Sequence, residues 1–486
     1  MTVPNTRIPG TYLEENTKNA VLGLFPVNDK VVVIAQELAS GSVDAGIPTS
    51  VFSDADAALY FGQGSVAHLT AKAAFEANPN VSLSIVGVDD DGSAQKAAGT
   101  LIFDSTTVTK SGTLTVWVGD LAINMGYASG AVDGTSLANS FVTAAASYTN
   151  LLPVTVSKSD STVTFTAKNG GTVGNCIALS SKDSVGQNFS TITSMSNGST
   201  DPDVGAYDTT GTIMYALAAA GYAMIVNTIP NTQASHDSAT KVEEMVDWAS
   251  GAMEERPAIQ VMAATDLVDT YANIKTLCGT DLNAGRCTCA YIDYTSDDLA
   301  KTEYFKVAGA YAAQLASQSD PAVPYDGLIL ASVTPPSVVD RFSTNQQDDM
   351  LDSGITPLTV VPGEQVSICR AISTYTTDSF GQPSIALLDI NTIRTLDYFR
   401  AQERNRMLQD FQRQKLTDRV LKSIKTEIID VMYLCEAAGI VQNTDTYKTG
   451  VTVGIDSVDH TKVNVFIPAD IVQGLHVIAG TIQLII

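Results

Sequence analysis

The chain is poor in charge, and poorest in cations. Only 16% of its 486 residues are charged, and 28 Lys and Arg stand against 52 Asp and Glu, a formal net charge of -24. This balance argues against nucleic-acid binding as the main task, because backbone phosphates are held by clustered Lys and Arg. The four histidines, His68, His236, His460 and His476, leave little for acid–base chemistry, and none stands in a recognisable catalytic setting. His68 lies in an otherwise apolar helical run and reads as structural. His236 sits with Ser235 and Asp237 at a helix start, where capping accounts for the cluster.

Cysteine is equally sparse. The six thiols (Cys176, Cys278, Cys287, Cys289, Cys369, Cys435) are scattered, which excludes the dense disulfide framework of a small secreted domain. Cys287-Thr288-Cys289 with Cys278 upstream lacks a fourth ligand at zinc-like spacing, so these read as reduced, buried thiols of a cytosolic protein. No charged stretch followed by an apolar core opens the chain, so no secretory signal is expected. Residues 211–230 are uncharged and near membrane-spanning length. Gly221 and Asn227 interrupt them, and the run reads as a helix leading into a buried strand over 222–229.

Two sequences imitate ligand sites. Gly62-Gln63-Gly64-Ser65-Val66-Ala67 mimics a dinucleotide fingerprint, with Asp89 near the place of a ribose-binding acid. That fingerprint needs a strand before it, and a helix-like segment precedes it here. Asp89-Asp90-Asp91-Gly92 opens like a calcium loop but has no Glu at the required distance; it reads as a solvated loop at a domain boundary. No cofactor and no metal are expected.

What is present is a mosaic. Residues 1–20 form an extended arm, because Pro4, Pro9 and Gly10 block helix. Strands at 31–35 and 81–88 bracket two helices near 54–60 and 65–77. Over 92–205 Thr, Ser and Gly dominate, cations thin out, and alternating strands appear at 114–118, 154–156 and 163–167, with one helix at 135–148. After 205 helices and strands alternate: strands at 222–229, 258–263, 288–293 and 328–331, each preceded by a helix. That alternation predicts an open α/β sheet. Its strand ends offer Thr228, Thr265 and Asp293, without a phosphate loop or nucleophile elbow.

The last third carries two features that ask for partners. From Arg394 to Lys425 there are nine cations (Arg394, Arg400, Arg404, Arg406, Arg413, Lys415, Arg419, Lys422, Lys425) and four acids. Nine minus four leaves +5 on a chain of -24, a layout that predicts a basic face meeting an acidic partner. The chain then ends on residues 476–486, which alternate at strand period and contain no charged Lys, Arg, Asp or Glu. Such a strand is an aggregation hazard unless it is tucked into its own sheet or added to a neighbour's. Two helices, from about 392 and over 418–438, and strands at 358–361, 366–369, 385–388 and 463–467 complete the region.

Gly354-Ile355-Thr356-Pro357, Arg370-Ala371-Ile372-Ser373-Thr374-Tyr375, Ile393-Arg394-Thr395-Leu396-Asp397-Tyr398, Val463-Asn464-Val465-Phe466-Ile467-Pro468 and Thr481-Ile482-Gln483-Leu484 follow one another in order. Together they resemble the C-terminal domain of contractile tail sheath proteins of Mu-like and P2-like phages. Ile8-Pro9-Gly10-Thr11-Tyr12 and the run through His68-Leu69 to Asn78-Pro79 resemble the corresponding parts of Mu-like subunits, and 152–167 resembles an inserted β-rich domain of the family.

The resemblance implies a multidomain α+β and α/β chain. An N-terminal arm (1–20) precedes an α/β core (21–91 and 206–353) with an inserted β-rich outer domain (92–205). An α+β C-terminal domain (354–470) faces a tail tube, and a strand arm (471–486) ends the chain. Arms of neighbouring subunits would complete the C-terminal sheet, through Ile8, Tyr12, Leu13, Ile478, Ile482, Leu484 and Ile486. Arg394, Arg400, Arg404, Arg406, Arg413 and Lys415 would form the tube-facing basic helix. The implied function is structural, not enzymatic: a subunit of stacked hexameric rings in a helical array around a tail tube. That array would contract to drive the tube through the host envelope during genome delivery. Implied partners are the subunit itself, the tube protein, and baseplate and tail terminator proteins, with no nucleic acid and no direct membrane insertion. The implied place is the virion tail, after assembly in the host cytoplasm. The sheath of a related phage-tail-like bacteriocin or injection machine is the alternative, and an α/β enzyme a remoter one.

Overall fold

The computed structural model describes residues 23–25, 29–204, 223–230, 237–251, 256–295 and 298–484. Ile8, Tyr12, Leu13, His236, Ile486 and the helix expected just before the 222–229 strand lie outside them. The chain divides into two compact units, Val27–Thr395 with Gln473–Ile486, and Met1–Pro26 with Leu396–Val472.

The larger unit is built on an eight-stranded sheet. In spatial order its strands are Gln365–Ile368, Thr356–Val361, Cys287–Tyr291, Ala258–Ala264, Ala223–Asn227, Lys30–Gln36, Leu83–Val88 and Thr49–Val51. The middle six run parallel and the two outermost are antiparallel. Ala258–Ala264 is buried at every residue and Lys30–Gln36 at six of seven, as expected of parallel strands covered on both faces. One cover is the helix pair Val66–Ala77 and Tyr304–Leu315, which pack so closely that a Cβ on Gly309 would lie 2.7 Å from the Thr70 carbonyl oxygen. Val242, Met245, Val246 and Ala249 of the Asp237–Ser250 helix cluster with Val32, Ile34 and Ile225.

The sequence placed the division between core and C-terminal domain at 354; the structure places it after Thr395. Thr356 pairs with Ala290 in parallel, which makes Thr356–Val361 and Gln365–Ile368 part of the α/β sheet. Buried hydroxyls lock the next turn on: Thr288 Oγ1 donates to Ile372 O (2.7 Å), and Ile372 N donates to Thr356 Oγ1 (3.0 Å). Gly354, at φ +75°, lets the chain pass so close to Thr374 that a Cβ would sit 2.9 Å from its backbone. The strand expected at 328–331 is a single bridge, Ile329 to Ser367, and none forms at 385–388.

The inserted segment has a core of its own, including Leu101, Phe103, Val116, Phe141, Phe165 and Phe189. One antiparallel sheet runs Ser190–Ser196, Ala98–Phe103, Thr162–Ala167, Val154–Ser159, and a second runs Leu179–Asp183, Gly112–Val118, Leu121–Tyr127. The Gly134–Ala145 helix, capped by Asp133 on Ser136 N, packs on the same core.

In the smaller unit the Asp418–Ala437 helix starts at Thr417, whose hydroxyl accepts from Val420 N, and buries Ile424, Ile428, Val431, Met432 and Cys435. Gly439 (φ +75°) ends it with the left-handed turn that glycine supplies best. Two small antiparallel ladders follow: Val441–Gln442 with Asp470–Ile471, and Thr452–Ile455 with Val463–Phe466.

Candidate functional site

The sequences that imitate ligand sites are occupied by their own chain. At the Gly62–Ser65 turn, Gly64 N donates to His68 Nδ1 (2.9 Å), Ser65 Oγ accepts from His68 N (3.0 Å), and Asn169 Oδ1 accepts from Val66 N (3.2 Å). The helix N-terminus, where a phosphate would bind, is therefore already filled. Since Nδ1 accepts, the proton of the neutral ring sits on Nε2, 2.9 Å from Asp54 Oδ1. Burial lowers the His68 pKa, against the pull of Asp54. Asp90 does not belong to a freely solvated loop as expected: it accepts from Gln36 Nε2 (2.8 Å), Asn169 Nδ2 (3.1 Å) and Gly170 N (2.6 Å), clasping the inserted segment to the core.

The strand end at Thr228 is likewise consumed. Thr228 Oγ1 donates to Ile34 O (2.9 Å) and Thr228 O accepts from Tyr304 OH (2.6 Å). Cys278, Cys287 and Cys289 are buried thiols in an apolar cluster with Met262 and Ile274. Among the described residues no group of three His, Cys, Asp or Glu could hold a metal, and no helix is long and apolar enough to cross a membrane.

The surfaces left open are strand edges and apolar side chains. The Thr452–Ile455 and Val463–Phe466 hairpin is a two-stranded sheet, so each strand has one edge without a ladder partner among the described residues. Ile455, Val465 and Phe466 are exposed on it. Its turn is stiff. Asp456 Oδ1 accepts from Val458 N and Asp459 N, and Oδ2 from Asn464 Nδ2. The Asp459 amide, the Asn464 side chain and the Val458 amide together hold that carboxyl down at about 2.

The tail beyond Ile471 offers the complement. The sequence predicts a strand over 476–486, yet residues 472–484 join no ladder among the described residues. Ile478, Ile482 and Leu484 are 83%, 101% and 81% exposed. Strand pairing takes two strands' hydrogen-bonding groups, and the alternating pattern alone cannot supply the second.

The six basic residues singled out by sequence do not share one surface. Arg394 is buried: its guanidinium pairs with Asp29, donates to Gln318 O and to Tyr325 OH (2.8 Å), and lies 5.9 Å from the Tyr325 ring centre. Burial pulls it down to about 10. Arg406 is buried too, 3.5 Å from Glu427 Oε2 and 3.9 Å from Asp430 Oδ2. Both hold their own units together, which corrects their assignment to a tube-facing surface. Arg400 is half-buried, and Arg404, Arg413 and Lys415 are exposed, as are Arg419 and Lys422 on the following helix.

Residues 382–485 match the Phage tail sheath C-terminal domain family. Over 99% of this chain and 98% of the relative, the sequence is 27% identical to the Mu-like prophage FluMu tail sheath protein of Haemophilus influenzae. The fold is similar to that of a sheath tail protein from Listeria innocua, with TM-score 0.52, 14% identity and 92% and 93% of the two chains covered. It is also similar to a sheath tail protein from Desulfitobacterium hafniense, with TM-score 0.51, 13% identity and 96% and 97% covered. The domain match, the full-length similarity and the shared fold lead to one conclusion: residues 382–485 form a phage tail sheath C-terminal domain, and the chain is similar over its whole length to a Mu-like tail sheath protein.

Proposed function

We propose that this subunit polymerises as stacked six-fold rings around an inner tail tube, and that contraction of the array drives the tube through the host envelope during genome delivery. One observation carries the reading. A single chain presents both an open two-stranded hairpin and, at its C-terminus, an exposed apolar stretch of strand period that joins no ladder among the described residues. Donor strand and acceptor edge in the same molecule, with no ladder between them among the described residues, fit strand addition between copies. The N-terminal segment with Ile8, Tyr12 and Leu13 would add from the other side.

In this reading the exposed cations Arg404, Arg413 and Lys415, with Arg400, face an acidic tube. Contacts of that kind are weakened by salt and suit a surface that must release. The acidic inserted domain points outward. Baseplate and tail terminator proteins bound the array, which assembles in the host cytoplasm. Contraction needs no hydrolysis, because rigid subunits repack from a metastable array while strand exchange keeps neighbours attached.

Electron microscopy of the purified protein at rising concentration, beside a variant lacking residues 1–15 and 477–486, tests this. Striated tubes from the full chain and only monomers or small rings from the truncated one are expected. Monodisperse monomers from both would remove the strand-exchange reading.

A further inference from the structure

The tail inverts the usual order of burial. Leu475 and Val477 are 70% and 75% exposed, while the histidine between them keeps only 10% of its side chain accessible. If the tail were merely laid on the surface, its apolar side chains would be covered and the imidazole left in water. We propose that His476 is the anchor of the C-terminal arm: the imidazole is gripped by Asp326 and Asp389, so that the arm leaves the α/β unit from a fixed point and its apolar stretch is presented to a second copy of the chain. The anchor rests on the strand-exchange reading for its purpose, not for its existence.

The seat is built from the loop before Asp326 and the start of the long helix. His476 Nδ1 lies 2.7 Å from Asp326 Oδ2, and Nε2 lies 3.5 Å from Asp389 Oδ1. Asp389 is itself held by Arg370, whose Nε and Nη2 donate to its two oxygens at 2.8 and 2.9 Å. One residue upstream of the His–Leu pair, a Cβ on Gly474 would come within 2.8 Å of Pro324 Cγ, 2.9 Å of His476 Nε2 and 3.0 Å of Asn391 Nδ2. Gln473 Oε1 accepts from Thr392 Oγ1 at 3.1 Å. Three of the four residues 473–476 are therefore seated, Leu475 alone facing outward, and the exposed apolar stretch continues where the seat ends.

The grip is built from the ring's two nitrogens, one toward each acid. A neutral imidazole has one N–H and serves one carboxylate; an imidazolium donates from both nitrogens and serves Asp326 and Asp389 together. Nε2 is buried without a hydrogen bond among the described residues, 3.5 Å from Asp389 Oδ1. The other charged or titratable groups around the seat are Arg370, which offsets part of the Asp389 charge, and the Cys369 thiol, near both Asp326 and Arg370.

Hydrogen exchange of the full-length, unassembled protein measures the anchor directly. With His476→Ala, exchange across residues 473–476 should speed up by about tenfold or more, while the Cys287–Tyr291 strand stays as protected as before. Asp326→Asn should act in the same direction, and Gly474→Val should unseat the segment with the histidine intact. Polymerisation should then need several-fold more protein in the variant, since a loosely tethered strand is less well presented. Equal exchange in wild type and His476→Ala overturns the anchor whatever the assembly does. Failure of the wild type to polymerise at any concentration overturns the sheath reading alone, and leaves the exchange comparison to judge the anchor.

Discussion

Phe25 and Gln402, 377 positions apart in sequence, exchange two hydrogen bonds: Phe25 N donates to Gln402 Oε1 at 2.7 Å, and Gln402 Nε2 donates to Phe25 O at 2.8 Å. A side-chain amide here completes the backbone of Phe25 as a neighbouring strand would. The Gln402 side chain is buried, so neither of its groups could fall back on water.

Replacing Gln402 with Leu removes both bonds and leaves the Phe25 backbone groups to find water. A loss of roughly 1–3 kcal/mol in the stability of the smaller unit is expected. Gln402→Glu keeps the acceptor and sets a carboxylate against Phe25 O, and should cost more. Urea unfolding followed by circular dichroism would check both; unchanged midpoints would mean that the pairing is incidental.

One position further on, burial pushes the Glu403 carboxyl up to about 8, opposed in part by Arg406. Its two oxygens find no hydrogen-bond partner among the described residues. In the unfolded chain the same group titrates near about 4.3. Its contribution is therefore fully present below that value, and is lost as pH rises from about 4 through about 8, because the unfolded chain ionises first. Gln at this position should flatten the fall, giving the variant the higher melting temperature at about pH 8.5 and little change at about pH 4. Parallel pH profiles for the two proteins would show that Glu403 ionises freely.

Lys306 Nζ stands 2.8 Å from Asp120 Oδ1 and 2.8 Å from Glu303 Oε2, and Glu303 is buried. Although burial opposes its charge, the two carboxylates hold Lys306 above its ordinary value. The ammonium joins the inserted segment, through Asp120, to the core helix. Lys306→Met leaves the buried Glu303 and the partly exposed Asp120 uncompensated and should cost about 3–5 kcal/mol. Adding Glu303→Gln should restore a large part of that. Denaturant midpoints of the single and double variants decide, and a double variant no better than the single would mean that packing, not charge, is what Lys306 supplies.

Charge reversal separates the cations by role. Arg404, Arg413 and Lys415 changed together to Glu should weaken co-sedimentation with tail tubes and leave tube-free assembly unchanged. Wild-type binding should fall steeply with added salt. Arg394→Ala should instead lower thermal stability because it leaves the buried Asp29 without its cation, and Arg406→Ala because it empties the place of a buried guanidinium. Undiminished tube binding by the triple variant would defeat the tube-facing assignment.

Much was decided by sequence alone. Continuous apolar runs such as Ala258–Ala264, alternation such as Thr162–Ala167, and caps such as Thr417 and Gly439 act through neighbours in sequence, so element type and order were legible. So was the likeness carried by Gly354–Pro357 and Arg370–Tyr375, although not its reason, which is that the two segments interlock around Thr288 and Thr374. Tertiary structure alone decided the rest. Thr356–Val361 belongs to the core sheet because its register partner is Ala290, 66 positions away. Arg394 and Arg406 read as surface cations until Asp29, Tyr325, Glu427 and Asp430 arrive from distant parts of the chain. The terminal residues have the pattern of a strand and no ladder within the described chain, because pattern states which face of a residue is apolar while pairing depends on whether an open edge lies within reach.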